Sequence, residues 1–116
     1  MKVNVIIASN GMVPSYEFLA KFCDKSLKTL VKGDAEITIL GIAPGNTITT
    51  AALVRQYAAR SGYKFISCSS SNDMVKQGDA AVIFKLADST MSLVSKCDAA
   101  DIKKKVKVFK PAPVES

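Results

Sequence analysis

Apolar and polar positions alternate between two regimes along this chain. Short, nearly unbroken apolar runs give way to longer stretches with helical spacing. Val3 to Ala8 is the first run, and its continuity is that of a strand covered on both faces. Ser9-Asn10-Gly11 is turn chemistry, and Pro14-Ser15 opens a helix with Ser15 as N-cap. Leu19, Phe22, Cys23, Leu27, Leu30 and Val31 form one apolar stripe, with Lys21, Asp24, Lys25 and Lys28 on the opposite face. Gly33 is placed to end this helix.

Glu36 to Leu40 reads as a second strand. It runs into the turn Gly41-Ile42-Ala43-Pro44-Gly45 and a helix from Thr47 to Ser61. Ala51, Ala52, Ala58 and Ala59 give that helix a small-residue face, and Gly62 stops it. Tyr63 to Cys68 is a third strand. A polar loop, Ser69 to Asn72, leads to a short helical turn over Asp73 to Gln77. Ala80 to Phe84 is a fourth buried strand, and Lys85 to Thr90 a loop. Ser89 can cap a helix running to about Lys103, with Met91, Val94 and Cys97 inward. Val106 to Phe109 is a last strand, with Lys105 and Lys107 suited to a sheet edge.

This alternation predicts an α/β fold: a three-layer Rossmann-like sandwich with a five-stranded, mostly parallel sheet and helices on both faces. Residues 1–110 are expected to form one domain and 111–116 a flexible C-terminal tail. Ligands of such sheets sit beyond the carboxyl ends of the strands. Here those loops start at Ser9, Gly41, Ser69 and Lys85, where the polar residues and glycines concentrate.

Composition narrows the chemistry. The chain has 116 residues, 48% of them hydrophobic, enough for a packed core. Histidine is absent, which removes Ser-His-Asp and Cys-His catalysis and most zinc sites. Three widely spaced cysteines (Cys23, Cys68, Cys97) suit a reducing compartment with free thiols. With no long apolar run and no signal-peptide pattern, the expected location is cytoplasmic. The net charge is +6, carried almost wholly by Lys, since Arg55 and Arg60 are the only arginines. Such a surface predicts weak, salt-dependent binding to nucleic acid and no base reading. The Lys excess also fits a phage or an AT-rich genome.

The turn from Gly41 to Thr47 is the main candidate for function. Gly41, Ala43 and Gly45 allow close backbone approach, and the helix that follows adds its positive end, a geometry for anions such as phosphate. The same residues also serve a tight turn with nothing bound. Asn46 and Thr47 can cap the helix, contact a ligand, or do both. Ser9 and Asn10 can contact a ribose or base, or simply form the turn. Asn72 can bond a ligand or brace its loop. Lys85 is the nearest cation for a phosphate, and Ser89 can close the site or cap its helix. No metal site and no catalytic set is predicted: Asp73, Asp79 and Asp88 show no spacing for paired acid–base work.

Several motifs occur in a consistent order: Leu40-Gly41-Ile42-Ala43-Pro44-Gly45-Asn46-Thr47, Ala51-Ala52, Tyr57-Ala58-Ala59-Arg60-Ser61-Gly62, Ser71-Asn72-Asp73-Met74-Val75 and Gly78-Asp79-Ala80-Ala81-Val82-Ile83-Phe84. In this the chain resembles the SLOG superfamily of Smf/DprA and LOG proteins, in particular its short YspA-like branch, over about residues 2 to 110. The resemblance implies binding of nucleotides or nucleotide-derived signals, with hydrolysis in some branches. It also has departures. Ser9-Asn10 replaces the family's first-strand Arg, Leu40 replaces the first glycine of its Gly-Gly pair, and Ser71 replaces the Arg before Asn72. The Pro-Gly-Gly-x-Gly-Thr-x-x-Glu signature of the LOG branch is absent. The reading is therefore a nucleotide-type ligand binder, a sensor or sequestering protein that needs no cofactor and can pair as a homodimer. The alternatives are an interaction or scaffold protein that kept the fold and lost the site, a nucleotide or nucleoside-phosphate hydrolase, and a nucleic-acid-binding module.

Overall fold

The computed structural model describes residues 2–42 and 50–110. The elements follow in the order β1 (Lys2–Ser9), α1 (Tyr16–Leu30), β2 (Glu36–Ile42), α2 (Thr50–Ser61), β3 (Lys64–Cys68), α3 (Ser71–Gln77), β4 (Ala80–Leu86), α4 (Ser92–Ala99) and β5 (Lys103–Phe109). The five strands form one sheet in the order β3-β2-β1-β4-β5, and every pair is parallel. The predicted Rossmann-like α/β sandwich is therefore present, with the sheet wholly parallel.

Strand alternation sorts the core into two layers. Val5, Ile7, Ile39, Val82 and Phe84 point to the face covered by α1 and α2, where Leu19, Cys23, Leu27, Val54 and Tyr57 meet them. Ile6, Leu40, Ala81 and Ile83 point the other way, against Met74 of α3 and Leu93 and Cys97 of α4. The second layer covers less of the sheet because α3 and α4 have only 7 and 8 residues. Ile42, Ile66, Val106 and Val108 are left exposed.

The Ser15 side chain caps α1 as expected, accepting from the Phe18 amide. Gly62 ends α2 in the left-handed region, at φ 76°. Its N–H donates to Ala59 O (3.3 Å) and the Tyr63 N–H donates to Ala58 O (2.9 Å), the Schellman pattern. The small-residue face of α2 is only partly inward: Ala58 is buried, but Ala59 faces solvent and Tyr57 fills the core. The Tyr57 hydroxyl donates to Asp24 Oδ1 of α1 at 2.5 Å, joining the two helices of that layer.

Several expected element ends need correction. The fourth helix does not reach Lys103; it ends at Ala99. There the Asp101 N–H donates to Asp98 O and the Ile102 N–H to Cys97 O, with Asp101 at φ 57°. This is a Schellman end built on Asp instead of Gly, so no glycine marked it. The chain freed by this early stop joins β5, which starts at Lys103 rather than Val106. Ser89 does not cap α4. The N-cap position is Met91, without a side-chain bond, and Ser89 is engaged elsewhere. Finally, α3 begins at Ser71, because the Ser70 side chain caps it by accepting from the Asp73 amide.

Candidate functional site

The order of the strands reverses between β1 and β4, and an Asn of β1 or its loop stitches each end of that seam. At the amino end, the Asn4 N–H donates to Asp79 Oδ2 (2.9 Å), the Asp79 N–H donates to Asn4 O (2.7 Å), and Asn4 Nδ2 donates to Gln77 O. Asp79 thus shapes the entry into β4, as its sequence position suggests. At the carboxyl end, Asn10 Nδ2 donates to Ser89 Oγ (2.7 Å) and Asn10 Oδ1 accepts from the Leu86 N–H (2.8 Å). Asn10 and Ser89, each a candidate ligand contact in the sequence, meet here in a hydrogen bond with one another across the switch point.

The open space lies one strand away. A cleft of about 440 Å³ sits at the carboxyl edge, where β1, β2, the loop after β1 and the start of α2 meet. That volume falls within the range of small-molecule sites, about 300–1,000 Å³. Its floor is Ile7, Ala8 and Ser9, its rim Met12 and Ile42, and its far wall Thr50, Ala51 and Val54. Ser9 Oγ donates to Gly11 O (2.6 Å) and accepts from the Gly11 N–H (3.2 Å). Thr50 Oγ1 also donates to Gly11 O (2.8 Å) and accepts from the Val13 N–H (3.2 Å). These bonds hold the loop after β1 against the first turn of α2 and so shape the cleft.

The other predicted residues fall as follows. Gly41 lies inside β2 and is buried. A Cβ there would meet the Phe65 ring at 3.0 Å and Val54 at 3.5 Å, so its smallness makes room for those side chains. Ala43, Gly45, Asn46 and Thr47 lie outside the described residues, as does the predicted tail. Asn72 is exposed on the first turn of α3, away from the cleft lining. Lys85 lies near the end of β4 on the α3/α4 side, and its Nζ donates to Leu86 O (3.1 Å). Of the predicted residues that the structure describes, Ser9 alone lines the cleft. Met12, Ile42 and Ala51 escaped sequence reading because apolar and small residues carry no chemical signature, and Thr50 because its hydroxyl is one of three in Thr47-Ile48-Thr49-Thr50. The one available signal was the alternation in β1, which puts Ile7 and Ser9 on the same face.

The acidic residues stand apart from this space. Asp73 accepts from the Ser69 amide and from Gln77 Nε2 within α3, Asp79 is bound to Asn4, and Asp88 is exposed in the loop after β4. The three thiols are buried. Burial pushes Cys23, Cys68 and Cys97 above the ordinary thiol value, so all three are held neutral. Among the described residues no group of three or more His, Cys, Asp or Glu side chains is placed to hold a metal, and no helix is long and apolar enough to cross a membrane.

No family model, no curated protein and no solved structure matches this chain.

Proposed function

We propose that the protein binds a nucleotide-derived small molecule, as a sensor or sequestering protein, in the cleft between β1, β2 and the start of α2. The observation that carries this reading is the cleft itself. It opens at the carboxyl edge of a wholly parallel 3-2-1-4-5 sheet, the edge on which such sheets place their ligands. The first turn of α2 forms one wall, so the positive end of a helix faces the space. Among the described residues no acid–base pair lines it, which favours holding a ligand over turning one over.

A thermal-shift panel of mono- and dinucleotides, NAD, ADP-ribose and cyclic dinucleotides tests this. A ligand at about a hundred times its Kd adds about 2.7 kcal/mol, several degrees for a chain of this size. Ala51→Leu fills the cleft from an only partly buried helix position and is expected to abolish the shift. A flat panel, or an equal shift in the Ala51→Leu protein, overturns the reading.

A second reading, an interaction protein, has its own observation. Val106 and Val108 of the edge strand β5 are 37% and 54% exposed, and Ile66 of the opposite edge strand is 41% exposed. Concentration-dependent sedimentation that Val108→Lys removes would favour it.

A further inference from the structure

We propose that the cleft receives a neutral, hydrogen-bond-donating heterocycle, a nucleobase or the base end of a nucleoside, and leaves any phosphate outside. This rests on the ligand-binding reading above and makes it specific.

The first ground is charge. Among the described residues, none of the cleft's lining side chains is charged. From Ile37 to Val54 the sequence holds no charged residue at all. Arg55, the next residue along α2, is exposed. Lys85, the basic residue at the end of β4, is on the other face of the sheet with its ammonium on Leu86 O. The start of α2 supplies about half a positive charge. That suits a ring nitrogen or a carbonyl and falls well short of neutralising a phosphate.

The second ground is the direction of the hydrogen bonds. A hydroxyl has one proton and two lone pairs. Ser9 and Thr50 both lie within donating distance of Gly11 O, and Thr50 Oγ1 also meets Met12 Sδ at 3.6 Å. Each then uses one lone pair on a backbone N–H, of Gly11 and Val13 respectively. Thr50 Oγ1, buried among three neighbours, is fully engaged, whereas Ser9 keeps one lone pair, which a ligand N–H or NH₂ can satisfy and an ionised phosphate oxygen cannot.

The third ground is the rim. Met12 and Ile42 are 48% and 45% exposed at the mouth of the cleft. A flat ring between them would cover apolar surface that water now meets, and the polarisable Met thioether suits an aromatic face.

The test is a titration of amide-labelled protein with adenosine, purine riboside and adenosine 5′-monophosphate at low and high salt. Shifts are expected at Ser9, Gly11 and Thr50. Adenosine and its monophosphate should bind within about threefold of one another, unaffected by salt. Purine riboside, which lacks the exocyclic amino donor, should bind about three- to tenfold more weakly than adenosine, the loss of one net hydrogen bond. Monophosphate binding tenfold or more above the nucleoside, and weakened by salt, would overturn the inference while the nucleotide reading stands. Equal binding of purine riboside and adenosine would overturn the donor assignment. Absence of binding by all three would overturn the inference, and the broader panel above then decides the reading beneath it.

Discussion

Asn10→Ala is the most informative single change, because one side chain holds the carboxyl end of the seam between β1 and β4. Truncation removes two bonds, to Ser89 Oγ at 2.7 Å and from the Leu86 N–H at 2.8 Å. A net hydrogen bond contributes about 1 kcal/mol, so the expected loss is about 2 kcal/mol. Both bonds are partly buried rather than sealed, so water can reach the orphaned groups and no larger penalty applies. Unfolding entropy of about 2.1 cal/mol/K per residue converts this into a fall in Tm of about 8 °C for this chain length. Ser89→Ala removes only the bond from Asn10 Nδ2 and the longer, 3.3 Å bond from Ser89 Oγ to Leu86 O, and should cost about 1 kcal/mol.

The assay is urea denaturation of the wild type, both single variants and the double variant. The cycle should return a coupling of about 1 kcal/mol between Asn10 and Ser89. A coupling near zero, or a loss below about 0.5 kcal/mol for Asn10→Ala, the level of an ordinary surface change, would refute the clasp. Asn10 does not line the cleft. The Asn10→Ala protein, measured below its lowered Tm, should therefore bind any cleft ligand with near wild-type affinity. If affinity fell in step with stability, the cleft and the switch point would form one site.

Gly78→Ala should cost about 1–3 kcal/mol by overpacking: a Cβ there would lie 2.6 Å from Ile6 Cδ1 and 3.0 Å from Met74 O, and Ile6 is fully buried. A denaturation midpoint unchanged from wild type would show that Ile6 has room to move. Desolvation raises Cys23 and Tyr57 above their ordinary values of 9.0 and 10.0, with neighbouring Asp24 adding to both. Each stays neutral in the fold at a pH where the unfolded chain ionises, so stability holds below pH 9 and falls as pH rises through the alkaline range. Denaturation midpoints that stay constant from about pH 8 to about pH 11 would contradict this. Lys103, Lys105 and Lys107 alternate onto the α1 side of the edge strand β5, and Lys107 Nζ sits 5.9 Å from the Phe18 ring centre. Changing all three to Gln should lower the salt slope of single-stranded DNA retention by about 2, whereas the exposed triple Lys2, Lys32 and Lys76 should not. Equal slopes for the two triples would reduce the effect to net charge.

The layered fold was legible because its signals are local and repeated. Continuous apolar runs such as Val3 to Ala8 belong to strands covered on both sides, and the stripe from Leu19 to Val31 belongs to a helix lying on them. Element ends were legible where a residue type advertises them, as at Ser15 and Gly62. They were not where an unmarked residue did the work: Asp101 closes α4 in a left-handed conformation, and Lys103, expected to end the helix, opens the strand β5.

The site divides along the same line. The sequence by itself determined that polar and glycine residues gather at the strand ends, that no histidine takes part, and that residues 37 to 54 carry no charge. Only the tertiary structure decided which of those ends stays open. Asn10 and Ser89 are 79 positions apart, and their hydrogen bond ties the carboxyl end of the seam between β1 and β4. Ser9 and Thr50 meet on one carbonyl, Gly11 O, only because β1 and α2 pack together. The direction of a hydroxyl proton, and whether a polar side chain is spent or free, depends on partners distant in the chain, and no local pattern of residues encodes it.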